Sequence, residues 1–248
     1  MEAFYDWFRW LYDATGINLT IIYDEYDRNR MIAGFWTTVW LCLVCIALSV
    51  VIGVIGAWLQ GSRLKWTRRG VQGFIALFRD TPPLVQIYFF YFGLGALLPR
   101  IENAYGIPEP VLTSMQWAVI SLSLFAGAFN VEIFRSGIEA VPKATVEAAE
   151  ALGYSRLRAY IHVVLPLAFR ICLPALNNNI VNLVKTTTLA YAIAVPEMLY
   201  VSKQIWSDAT NVPEMMTFLL LAYFFLVGCV VWVMSRLERS LKVPGIGL

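Results

Sequence analysis

Charge is scarce in this chain. Of its 248 residues, 15% are charged and 59% are hydrophobic. A soluble domain carries about 25% charged residues, so an aqueous surface is excluded and a bilayer is the natural solvent. Histidine occurs once, as His162. Without a neighbouring Cys, Asp or Glu cluster it makes no metal site. The net charge is +2, and no basic run is long enough to track a phosphate backbone, which excludes nucleic acid as a partner. No GxxxxGKS or GxxxxGKT phosphate loop is present, so the chain cannot hold ATP in the P-loop manner. Nothing pairs a nucleophile with a base or one carboxylate with another. No catalytic residue is expected, and the chain does not read as an enzyme. The N-terminus lacks the basic region of a cleavable signal. Cysteine is sparse, and Cys42, Cys45, Cys172 and Cys229 lie in apolar runs, where they read as small core residues.

What is present is long apolar sequence. A helix needs about 20 apolar residues to cross the hydrocarbon. Residues 31–62 contain no charged side chain and form the first expected span. Residues 81–99, 111–131 and 215–235 supply three more. Residues 171–200 are apolar but interrupted by Pro174, an Asn cluster, Lys185 and Pro196. That interruption predicts a helix lining something polar, broken near the midplane. The expected fold is therefore an all-α integral membrane protein with about five transmembrane helices. Residues 1–30 mix acids with Trp7, Trp10 and Tyr12 and read as an N-terminal extracytoplasmic interfacial segment. Residues 31–242 read as the transmembrane domain, and residues 243–248 as a C-terminal cytoplasmic tail. Residues 201–214 are expected outside, as a connecting loop, a gate or a contact surface.

Basic residues set the orientation. Arg63, Lys65, Arg68 and Arg69 follow the first span, and Arg135, Lys143, Arg156 and Arg158 follow the third. Arg236, Arg239 and Lys242 follow the last. These regions share one face, while the opposite face has fewer cations diluted by acids. The reading places the N-terminus outside and the C-terminus in the cytoplasm.

One polar stretch on the cytoplasmic face is built for helix. Pro142 suits a helix start, and residues 143–152 are good helix formers. Gly153 can end that helix in a left-handed cap. Ser155 can cap a second helix, which runs toward Pro166. A hairpin over residues 142–165 results.

Its sequence, Glu147-Ala148-Ala149, three residues, Gly153, nine residues, Val163, one residue, Leu165-Pro166, resembles the EAA loop of ABC importer permeases, with Val163 at their Ile position. Residues 78–86 resemble the FRGTPLLVQ segment of the polar amino-acid permeases, with Asp80 at the usual Gly and Pro83 at the usual Leu. Gly127-Ala128-Phe129 with Glu132-Ile133-Phe134-Arg135 resembles their GAY…EIxR segment. Residues 173–189 resemble LPPLxNxFIxLLKxTSL. Four motifs in order, over roughly residues 30–240, identify the chain as similar to the histidine/glutamine/arginine/opine group.

The resemblance implies a permease subunit in a bacterial cytoplasmic (inner) membrane, surrounded by membrane lipid. Its partners would be two ATP-binding subunits, a second permease chain (the same or similar) and an extracytoplasmic substrate-binding protein. ATP and magnesium would reside on the ATPase subunits, and no cofactor in this chain. Glu147, Ala148, Ala149, Gly153, Leu165 and Pro166 would form the ATPase-coupling helix. The substrate would be a polar amino acid or a derivative such as an opine. A secondary transporter or channel without an ATPase is the alternative, but it calls for intramembrane acids or an inverted repeat.

Asn178, Asn182 and Thr186 are spaced by four and share a helical stripe; Asn179 and Thr186 are seven apart. Polar side chains at membrane depth face a cavity or another helix. Substrate contact and interhelical bonding are both open for them. By resemblance, members taking basic amino acids often carry Glu at the Asn179 position. Its absence here points to a neutral or acidic amino acid or a bulkier derivative. Lys185 could attract a carboxylate, and Gln86 and Glu132 are further substrate-path candidates. Glu132 also fits a structural ion pair with Arg135.

Overall fold

The computed structural model describes residues 2–102 and 105–241. Lys242 and the expected tail of residues 243–248 lie outside them. The described chain is helical apart from a short antiparallel ribbon, β1 (Arg100–Glu102) with β2 (Pro108–Pro110). Among the described residues four helical segments are long and apolar enough to cross a membrane: Glu25–Gln60, Ser114–Glu139, Arg156–Ile193 and Val212–Leu241. The expected span at residues 81–99 is a shorter apolar helix, Pro83–Leu97. It contains a π-helical stretch at Phe89–Leu94.

In chain order the helices are α1 (Glu2–Thr15), α2 (Thr20–Tyr23), α3 (Glu25–Gln60), α4 (Lys65–Arg79), α5 (Pro83–Tyr88) and α6 (Gly95–Leu97). There follow α7 (Ser114–Glu139), α8 (Lys143–Ala151), α9 (Arg156–Ala159), α10 (Leu165–Thr186), α11 (Met198–Ala209) and α12 (Val212–Leu241). The first span begins earlier than residue 31, because Glu25 and Asp27 suit the first turn of α3. Residues 201–214 are mostly helix α11 rather than open loop. Cys42, Cys45 and Cys172 are buried as expected, but Cys229 is exposed on α12.

Two compact units divide the chain. The first comprises Met1–Val44, Leu84–Ser121 and Val184–Gly228. Its apolar core joins Met31, Met198, Val201, Ile205 and Met215. Glu197 is fully buried there as the N-cap of α11. Its carboxylate accepts from Leu199 N at 2.9 Å, Tyr200 N at 2.8 Å and Tyr223 OH at 3.0 Å. Three donors answer the cost of burying a carboxylate. The N-terminal segment is tied to the same unit. Asn18 N donates to Glu214 at 2.8 Å, and Asn211 Nδ2 donates to Asn18 O at 2.9 Å.

The second unit comprises Cys45–Pro83, Leu122–Leu183 and Cys229–Leu248. Its core joins Ala57, Phe134, Cys172, Leu176 and Ile180.

The expected break in residues 171–200 is displaced. α10 continues through Pro174 without interruption, as membrane helices tolerate when freed backbone groups are satisfied nearby. The chain instead tightens at Thr187–Ile193 into a 3-10 helix and turns at Ala194 with φ 58°. The threonines account for this. Thr187 Oγ1 donates to Val184 O at 2.7 Å and Thr188 Oγ1 to Lys185 O at 2.8 Å. These three-residue back-bonds compete with the α-helical ladder. Pro196 then prevents helix from resuming before Met198.

Candidate coupling hairpin and polar stripe

The hairpin forms where the local sequence puts it. Pro142 is the N-cap residue of α8, and Gly153 has φ +89°. Tyr154 N donates to Ala149 O at 3.1 Å and Gly153 N to Glu150 O at 3.0 Å. This pair of bonds is the Schellman arrangement, which satisfies carbonyls left over at the helix end. Ser155 Oγ accepts from Arg158 N at 3.5 Å and caps α9. Glu150 and Arg156 face each other across the turn at 3.6 Å.

Ala149 and Ala159 are buried, whereas Ala144, Glu147 and Ala148 are exposed. Leu152 and Leu157 at the tip are 81% and 68% exposed, so the hairpin presents apolar side chains beside an acid.

The second arm does not stop at Pro166. A π-helical stretch, Tyr160–Val164, follows α9 and runs directly into α10. Leu165 N donates to Tyr160 O, five residues back. The wider turn leaves room for the ring of Pro166, whose missing N–H would otherwise interrupt the ladder. Arg156–Ile193 is thus one continuous helical segment. Leu165 and Pro166 are exposed points along it rather than its end.

The polar residues of α10 fall on two faces. Asn178, Asn182 and Lys185 are exposed and recur at intervals of four and three, one stripe along the helix. Thr186 is half-buried at the last position. Asn179 lies on another face and is buried. Its Nδ2 donates to Ala126 O at 3.0 Å and to Asn130 Oδ1 at 2.7 Å. Asn130 Nδ2 in turn donates to Ser49 Oγ at 3.2 Å. The amides therefore clamp α3, α7 and α10 together, and Asn179 takes the interhelical role. Neither Asn130 nor Ser49 stood out in the sequence, although both are polar residues within apolar spans.

Replacing Asn179 with Leu removes the donor from Asn130 and Ala126. Interhelical amide bonds in membranes are worth about 1–2 kcal/mol in model helices. Asn179→Leu should lower the thermal midpoint of the solubilised protein, while Asn178→Leu, at an exposed position of the same helix, should leave it unchanged. Equal midpoints for Asn179→Leu and the parent would remove the clamp.

Glu132 forms the ion pair with Arg135, at 2.9 Å, and accepts from Gln60 Nε2 at 3.4 Å. Arg135 also meets Glu139 at 2.8 Å. Gln86 is buried in α5, within the first unit. Among the described residues no group of three or more His, Cys, Asp or Glu is placed to hold a metal ion.

A helical hairpin with an exposed acid–alanine face thus runs into a membrane-length helix that carries the polar stripe. Residues 49–243 match the family described as binding-protein-dependent transport system inner membrane component. The chain belongs to that family.

Within the family, the chain is 31% identical over 212 residues to the octopine transport system permease protein OccM of Rhizobium radiobacter, covering 85% of each chain. It is 33% identical over 181 residues to the histidine/lysine/arginine/ornithine transport system permease protein HisM of Salmonella typhimurium, covering 73% of this chain and 76% of the relative. A crystal structure described as an amino acid ABC transporter with histidines matches with TM-score 0.75 and 25% identity, covering 86% of this chain and 94% of that one. The MetNI methionine ABC transporter, at 18% identity and TM-score 0.69, shares the fold.

Proposed function

We propose that this chain is the transmembrane permease subunit of an ABC importer that moves a polar amino acid, or a derivative such as an opine, into the cytoplasm. Two ATP-binding subunits carrying ATP and magnesium drive it. A second permease chain completes the path, and an extracytoplasmic binding protein delivers the substrate. The distribution of basic residues supports a cytoplasmic hairpin and C-terminus with the N-terminus outside.

The observation that carries the reading is the unbroken helix from Arg156 past Asn182. At about 1.5 Å per residue, the hairpin turn and the polar stripe are about 40 Å apart on one rod. Docking at Glu147, Ala148, Ala149 and Gly153 tilts or shifts that rod as a body. An ATPase that binds one position of the hairpin better than another then biases the stripe between two states. Asn178, Asn182 and Lys185 supply amides and one cation to the path, with Thr186 at its end. The stripe contains no acid. A cationic side chain finds no counter-charge on it, which favours a neutral or acidic substrate. Asn179, held by Asn130, supports the stripe from behind, and Glu132 is occupied by Arg135.

The test is the ATPase rate of the reconstituted complex as amino acids and opines are added singly with the binding protein. Stimulation by a neutral or acidic compound is expected. A strong response to lysine or arginine overturns the selectivity argument, and failure of any ATPase to associate overturns the importer.

A further inference from the structure

A cavity of about 490 Å³ lies within the second unit against α4 and α7, with no α10 residue in its lining. Arg79, Asp80, Glu132 and Arg135 line it, with the amides of Gln60 and Gln72. Its two guanidinium groups and two carboxylates cancel in charge, but they are not equivalent. Arg135 and Glu132 neutralise each other, and Arg135 is held further by Glu139.

Arg79 and Asp80 are both exposed, and Arg79 lies near enough to Glu132 to act on its charge without pairing with it. Among the described residues, neither side chain makes an ion pair or a hydrogen bond. The Arg79 guanidinium lies over the Phe129 ring, 5.2 Å from its centroid, which orients the planar donor group without satisfying its N–H groups. Asp80 is the C-cap residue of α4, its N–H bonded to Ala76 O. The C-terminal end of a helix favours a cation, and this adds to the Asp80 carboxylate. A donor fork and a carboxylate, neither in a hydrogen bond or ion pair among the described residues, thus sit on adjacent residues of a cavity whose four charged groups cancel. A simple anion meets Asp80 and Glu132, and a simple cation meets Arg79. A molecule carrying both charges meets neither penalty.

We propose that this cavity binds a small zwitterion, its anionic group on Arg79 and its ammonium group on Asp80. The chemistry fits a free α-amino acid and a phosphatidylethanolamine headgroup alike. The charged and amide lining reads the anion–ammonium pair and little of the side chain, so the site is broad in specificity. Asp80 stands where the FRGTP pattern has glycine, so the ammonium half of the site is a departure from that pattern.

The test is equilibrium binding of radiolabelled L-alanine to the purified transporter, without its binding protein, in phosphatidylglycerol nanodiscs. Saturable binding is expected, with unlabelled L-glutamine competing comparably. Loss of one charge-assisted contact should weaken it about tenfold or more in Arg79→Gln and in Asp80→Gly. Asp80→Gly restores the residue of the pattern and keeps the fold, which monodisperse elution checks. The same measurement in phosphatidylethanolamine discs separates the two sources. Alanine binding that persists there supports a free amino acid. Alanine binding that vanishes, with ethanolamine lipid retained by the parent and not by the variants, supports the headgroup. Absence of both alanine binding and selective lipid retention overturns the proposal. So does alanine binding that survives both variants but is lost in Asn178→Ala/Asn182→Ala, a result that leaves the proposed transport path standing.

Discussion

Gly153→Asp and Glu147→Lys should each abolish most ATP-driven uptake while the chain still inserts and folds. Gly153 ends α8 with φ +89°, and an added Cβ there meets nothing within 4 Å. The variant is therefore not sterically blocked. Its cost is the left-handed backbone, about 1–2 kcal/mol for a residue with a side chain, and a carboxylate at a helix C-terminus, where negative charge is unfavourable. The turn loosens beside the face proposed to dock the ATPase. Glu147→Lys leaves the turn intact but reverses the charge of an exposed side chain on that face. A like-charge contact at an interface costs several kcal/mol, so uptake should fall at least about tenfold. Uptake into proteoliposomes, measured beside ATPase rate and membrane insertion, separates uncoupling from misfolding. Normal uptake in both variants would remove the coupling assignment.

The hairpin was legible in the sequence because its signals are local. Pro142, Gly153 and Ser155 each act on backbone within a few residues, and each does so in the fold. The features that escaped depend on partners far along the chain or on backbone adjustments no single residue announces. Pro166 reads as a stop, yet the π-helical stretch before it carries the helix on. Pro174 reads as a break, yet the break falls at the threonines after Lys185, whose hydroxyls bond backward. Spacing placed Asn179 with Thr186, but Asn130 and the Ala126 carbonyl, 49 and 53 residues away, hold its amide. That Arg79 and Asp80 form no ion pair or hydrogen bond among the described residues was likewise invisible, because it is a property of what surrounds them.

Gly53→Leu should leave no folded protein, and that result tests the packing beneath the amide clamp. Ser49, Gly53 and Gly56 are spaced by four and three, so they form one face of α3. A Cβ at Gly53 would lie 2.4 Å from Asn130 Cβ and 3.0 Å from the Asn130 backbone carbon. One at Gly56 would lie 2.3 Å from Val131 Cγ2, and one at Gly127 would lie 2.6 Å from Ile52 Cγ2. The two helices thus touch backbone to side-chain root, the close approach that small residues permit between membrane helices. Contacts of this kind cannot be relieved by swinging a long side chain aside. At Gly53 the obstacle is partly backbone, so even Gly53→Ala should cost about 1–3 kcal/mol, the usual range for overpacking. It should also pull Asn130 away from Ser49 and Asn179, because the clamp depends on the same approach. Gly228 on α12 is the control, since a Cβ there meets nothing within 4 Å. Gly228→Ala should be neutral or slightly stabilising, as alanine is the better helix former by about 1 kcal/mol. Accumulation in membranes and the thermal midpoint in detergent read all three. A Gly53→Leu protein with parental accumulation and midpoint would show that α3 and α7 do not pack at this distance.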